Sequence, residues 1–250
     1  MEMITRLAAL FLALLGGYCL AMSRVAAAVP RAEQLRRLAM FAVGLVGTLA
    51  VFLPSPDLFG PDYRFTVSMG QMLLAINLAP LFLLQGIPEA MLAWLVRHDG
   101  AQRFLSNPLL TGLTSTMLFF IWFVPGIFEA ASSSWILWMI KEAASLLSGL
   151  IFWWPVASTL LAWRTSLPKQ IFYLIAMRFP MAVLGILFTL SSRLFYRSRS
   201  FALEICAPAS LPDQQLGGLI MWTLGGLILF VAFAVVFLRW FQRYETASTR

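Results

Sequence analysis

Residues 135 to 157 read WILWMIKEAASLLSGLIFWWPVA, a stretch in which only Lys141 and Glu142 carry charge. At about 1.5 Å per residue, a helix of that length reaches roughly 35 Å, enough to cross the ~30 Å hydrocarbon core of a bilayer. A helix this apolar on every face does not suit the surface of a water-soluble domain. The stretch predicts a transmembrane span.

Working outward, six more apolar segments recur between short polar joints: residues 4 to 23, 38 to 54, 66 to 87, 109 to 128, 170 to 190 and 214 to 238. The expected fold class is therefore all-α, a polytopic membrane bundle of about seven transmembrane helices. Composition agrees. The 250 residues are 60% hydrophobic and 12% charged, about half the charged share of an ordinary soluble domain, and the mean hydropathy is +0.83. No internal repeat or linker divides the chain, so residues 1–250 are expected to form a single helical bundle domain.

The first segment could be a signal peptide, with Ala26, Ala27 and Ala28 resembling a cleavage site. Its apolar run is long for a signal core, which favours a retained span. Orientation follows from the basic residues. With the N-terminus outside, eleven fall inside (Arg24, Arg31, Arg36, Arg37, Arg97, Arg103, Arg164, Lys169, Arg239, Arg243, Arg250). Five fall outside (Arg6, Arg64, Arg193, Arg197, Arg199), while Lys141 and Arg178 lie within spans. This predicts N-terminus outside and C-terminus inside. The net charge of +7 is scattered through loops rather than gathered on one face, which argues against nucleic acid as a partner. Cys19 and Cys206 fall at opposite faces in this topology, beyond disulfide reach.

Ionisable residues inside a span are costly, about 2.5–3.5 kcal/mol at the centre on insertion scales, so each raises a functional question. Lys141 and Glu142 are expected roughly 10 Å below the outer surface. Gln71 lies at similar depth, Glu129 and Asp213 near the outer boundary, and Arg178 nearer mid-membrane. Together Gln71, Lys141, Glu142 and Arg178 form an expected intramembrane polar cluster, with Glu142 a candidate partner for Arg178. Two readings are open: a site opening outward, or interhelical hydrogen bonding. Residue type favours the second.

Met69 and Met72 share a helical face, as do Met177 and Met181, and thioethers suit Cu(I). In so apolar a chain, most methionines pack. His98, the sole histidine, falls in an inner loop. No catalytic triad, CxxC pair or phosphate-cradling loop can be assembled, so no enzyme activity is expected.

Several motifs taken together carry a resemblance: Asp213-Gln214-Gln215-Leu216-Gly217-Gly218, Phe152-Trp153-Trp154-Pro155, Trp122-Phe123-Val124-Pro125 with Phe128-Glu129-Ala130-Ala131, Leu78-Ala79-Pro80-Leu81, Gly86-Ile87-Pro88, and Pro180-Met181 with Leu184-Gly185. The sequence resembles the CtaG family of cytochrome c oxidase assembly factors across nearly its whole length. Asp213, Gln214 and Gln215 are the most specific element. The resemblance implies a seven-span protein of the bacterial cytoplasmic membrane that helps mature a haem-copper oxidase through its copper centre. It also implies histidines at four positions, which here hold Val67, Gln71, Phe123 and Ala143. Valine and phenylalanine donate nothing, and glutamine is a poor ligand for transition metals. The expectation is thus an accessory or assembly protein that contacts oxidase membrane subunits within the lipid bilayer and has no resident cofactor. The alternatives are a copper-handling chaperone with Met69, Met72 and Glu142 as weak candidate ligands, and a small transporter using Glu142 and Arg178.

Overall fold

The computed structural model describes residues 2–25, 30–53, 61–160, 165–196 and 210–248. All regular secondary structure among them is helical: α1 (Glu2–Val25), α2 (Arg31–Val51), α3 (Arg64–Leu73), α4 (Ala79–Gly86), α5 (Glu89–Leu95), α6 (Asp99–Leu105), α7 (Pro108–Phe120), α8 (Pro125–Ser133), α9 (Trp135–Ala157), α10 (Leu167–Leu190) and α11 (Leu211–Ser248). Five stretches are long and apolar enough to cross a membrane: Arg31–Val51, Arg64–Gly86, Trp135–Ala157, Leu167–Leu190 and Leu211–Thr246. A bent pair, Asp99–Leu105 with Pro108–Phe123, raises the number to six.

The expected seven differ from this at two places. Helix α1 is 24 residues long, and the apolar part of it whose side chains are described is Ala9–Ser23, so it is not among the five. The segment expected over 109 to 128 is not one helix. Val124 is extended (ψ 125°), because the residue before a proline is sterically pushed out of helical geometry. The chain therefore stops after Phe123 and restarts at Pro125 as α8. At its other end, Asn107 caps α7, its Oδ1 accepting from the Leu109 and Leu110 N–H groups at 3.0 and 3.3 Å. Pro108 takes the first helical position, where no donor is lost. This start is bent 86° from α6.

The span from Arg64 to Gly86 sits at the centre and is the most buried of the five, at 61%. Its upper half, α3, packs on α11; its lower half, α4, packs on α2 and α9. Helix α10 lies along α11, and α7 lies between α9 and α10. Small residues set these distances, as expected where helices associate without a hydrophobic driving force. A Cβ on Gly86 would stand 2.6 Å from the Phe41 N, and one on Gly218 would stand 2.7 Å from the Gly185 carbonyl. At Gly149 it would collide with the Ile76 carbonyl and the Pro80 ring.

The central span changes pitch halfway. Pro80 has no N–H, so the Ile76 carbonyl four residues earlier lacks its helical donor. At this point residues Leu74–Leu78 widen into a π turn, with the Ala79 N–H reaching back to Leu74 O. The fully buried Trp153 of α9 donates its indole N–H to Ile76 O at 3.1 Å, replacing the missing bond. A neighbouring helix has satisfied a proline-freed carbonyl, which makes a break tolerable at membrane depth.

Candidate functional site

The starts of α3, α9 and α11 meet at one end of the bundle, together with the ends of α2 and α10. Six of the sequence-predicted polar residues, Gln71, Lys141, Glu142, Asp213, Gln214 and Gln215, gather there.

Asp213, at 1% exposure, reaches across to α3. Its carboxylate accepts from the backbone N–H groups of Phe65 (3.0 Å) and Thr66 (2.9 Å) and from the Thr66 hydroxyl (2.7 Å). The first N–H groups of a helix have no partner within it and carry the positive end of its dipole. Tyr63, at the capping position of α3, supplies no side-chain cap; Asp213 does so from the last helix. Gln214, fully buried, accepts from Phe195 N–H at 2.8 Å and donates to Arg193 O at 3.1 Å. Gln215 donates to Ser191 O at 3.0 Å. The three side chains thus clip the start of α11 to α3 and to the segment leaving α10.

Gln71 does comparable work on another helix. Its amide donates to the carbonyls of Ala50 (3.1 Å) and Leu53 (2.7 Å), at the C-terminal end of α2 where helical carbonyls lack donors.

Lys141 and Glu142 are buried to 1% and 0% exposure. Consecutive residues on a helix point in different directions, so the Lys141 stem folds back to place Nζ 2.9 Å from Glu142 Oε1. Nζ also donates to Ser68 Oγ on α3 at 3.4 Å. The contact with Glu142 is close but poorly aligned, and neither carboxylate oxygen has a hydrogen-bond donor among the described residues. The pair is held by charge and proximity rather than by directed hydrogen bonds.

Arg178 lies in α10, but its side chain is outside the described residues. Its neighbour Met177 lies 4.0 Å from the Thr116 hydroxyl, and the adjacent Ser115 bonds Ser148 of α9. That level is six residues, or roughly 9 Å, along α9 from Glu142. Met69 and Met72 are buried in a core with Phe65, Phe119, Phe123, Phe128, Trp138, Phe188 and Met221. Cys19 is exposed and free, whereas Cys206 lies outside the described residues. His98 is exposed at the start of α6.

A family model described as cytochrome c oxidase caa3 assembly factor (Caa3_CtaG) matches residues 16–243. The chain belongs to the Caa3_CtaG family. Membership implies a role in cytochrome c oxidase assembly in a bacterial membrane, and the apolar helices agree with a membrane protein. No curated relative and no solved structure matches the chain.

The structure permits a test of whether this Caa3_CtaG member could hold copper at the four positions where the resemblance places histidines. Gln71 is bonded to α2, Phe123 is packed against Phe119 and Phe188, and Ala143 is exposed on the outside of α9. Val67, half-buried on α3, has no donor atom. Among the described residues no group of three or more His, Cys, Asp or Glu side chains could hold a metal ion. The donor set does not fit a histidine-type copper site.

Sequence reasoning missed Thr66 and Ser68, and it named Trp153 in a motif without its bond to Ile76 O. Thr66 and Ser68 are ordinary residues whose partners come from distant helices. For Trp153 there was a signal, since Pro80 marks a carbonyl that needs a donor.

Proposed function

We propose that this Caa3_CtaG protein is an assembly or accessory protein of a membrane-embedded haem-copper oxidase, acting through protein–protein contacts with oxidase membrane subunits rather than by catalysis. In this reading residues 1–250 form one bundle of seven spans in the bacterial cytoplasmic membrane, N-terminus outside and C-terminus inside, without a resident cofactor. Helix α1 and the bent α6–α7 unit supply the two spans beyond the five long helices.

One observation carries the proposal. The polar residues at the α3 end are engaged with other parts of the bundle: Asp213 on α3, Gln71 on α2, Gln214 and Gln215 on the 191–196 segment, and Lys141 on Ser68 and Glu142. Groups committed to holding helices together are not held ready for a substrate. The outward faces of α7, α10 and α11 carry large apolar side chains such as Met117, Phe172, Phe179 and Phe230, suited to lipid or to the helices of a partner.

Affinity purification of the tagged protein from native membranes tests this. Oxidase subunits are expected among the recovered proteins, and their absence overturns the proposal. Anaerobic Cu(I) loading of the purified protein tests the cofactor-free part, since stoichiometric copper that survives desalting would contradict it.

A further inference from the structure

At the end of the bundle opposite Asp213, a groove of about 1170 Å³ opens between α4, α9, the start of α10 and the stretch of α11 from Leu227 to Thr246. Its two ends differ in chemistry. Toward the middle of α11 the walls are apolar, formed by side chains such as Leu81, Leu227, Ile228 and Val231. Toward the terminus of α11 they carry Arg36, Arg239 and Arg243. Among the described residues no carboxylate lines the groove.

Arg36 is already paired with Glu33 at 2.8 Å. The guanidiniums of Arg239 and Arg243 have no ion-pair or hydrogen-bond partner among the described residues. They stand four apart, one above the other on a single face of α11. Depth fits a headgroup. With Leu211 placed at one membrane surface, the helix runs about 42 Å to Arg239, close to the 40–45 Å thickness of a bilayer with its headgroups. The guanidiniums therefore lie at headgroup level while the apolar walls lie at acyl-chain level.

We infer that this groove binds an anionic phospholipid, its phosphate on Arg239 and Arg243 and an acyl chain along the apolar wall. Planar guanidinium donors match phosphate oxygens in pairs. Basic pockets between transmembrane helices are established sites for anionic headgroups. A free phosphate would satisfy the arginines but leave the apolar wall uncovered. An acidic protein segment would have to carry an apolar stretch beside its carboxylates to cover the same wall, whereas a phospholipid joins both in one molecule.

The test uses the full-length protein, purified in mild detergent and exchanged through mixed micelles of phosphatidylglycerol and phosphatidylcholine in equal parts. Retained lipid is then quantified by mass spectrometry. Phosphatidylglycerol is expected to be enriched in the wild type. The R239Q/R243Q double variant should lower that enrichment by about tenfold, while R239K/R243K retains most of it. V231W fills the apolar wall without touching charge and should also lower it.

Absence of enrichment in the wild type overturns the inference. Equal loss on neutralising Arg97 and Arg103, which do not line the groove, overturns it in favour of general surface charge. Retention by V231W, or displacement of the lipid by millimolar inorganic phosphate, shows that the acyl wall contributes nothing and overturns it as well. Unchanged lipid with loss of a copurifying protein in R239Q/R243Q would reassign the groove to an acidic partner. Each variant is compared only if its gel-filtration profile matches the wild type.

Discussion

Two carboxylates lie buried at the same end of this bundle, and they are held in opposite ways. Asp213 is surrounded by donors: two backbone N–H groups, a hydroxyl and the positive end of α3. Glu142, equally buried, has no aligned donor and relies on the adjacent Lys141 at 2.9 Å. Asp213 gains because its charge meets groups that would otherwise be unsatisfied. Glu142 depends on Lys141, which also bonds Ser68, and buried ion pairs often do no better than well-packed apolar side chains. Burial of a charge therefore does not by itself mark a functional residue. Its partners decide which kind of charge it is.

The largest expected effect breaks the weaker arrangement. Lys141→Met strands the Glu142 carboxylate and should cost about 3–5 kcal/mol of stability, read as a lowered midpoint of unfolding in micelles. A loss no larger than that of an exposed substitution would mean that Glu142 has a compensating partner other than Lys141. Asp213→Ala comes next. It uncaps α3 and removes charge-assisted bonds, with an expected loss of about 2–3 kcal/mol and faster amide exchange at Phe65 and Thr66. Asp213→Asn, which keeps an acceptor, should lose about half as much.

Trp153→Phe removes an uncharged clip together with part of a buried ring. Losing the donor to Ile76 O and leaving a small cavity should cost about 2 kcal/mol, measured by the same unfolding midpoint. The smallest effect is expected from the double variant K141M/E142L. Removing both charges together should leave stability within about 1 kcal/mol of wild type. A large loss in the double variant would show that the pair is held by contacts beyond Ser68.

The long spans were legible in the sequence because an apolar run of some twenty residues has few uses outside a membrane. The break after Phe123 was written in Val124-Pro125, but hydropathy averages over such a pair and reads across it. The candidate residues Gln71, Lys141 and Glu142 were legible because polar atoms inside a span are conspicuous. What they bind was not, since their partners sit on other helices. Asp213 is the extreme case: the N–H groups it caps lie 148 and 147 residues away, and no local pattern records such a pairing. The groove lined by Arg36, Arg239 and Arg243 is built from several chain segments, so it existed for the sequence only as scattered basic residues.

The cap that Asp213 places on α3 also bears on the timing of biogenesis. A chain emerging N-terminus first would deliver α3 to the bilayer long before α11 is synthesised. Until α11 arrives, the N–H groups of Phe65 and Thr66 must find water or other temporary partners, and α3 has no reason to settle at its final depth. The last helix thus acts as a latch that closes on an early one, so a prematurely terminated product stays loose at its centre and open to membrane proteases.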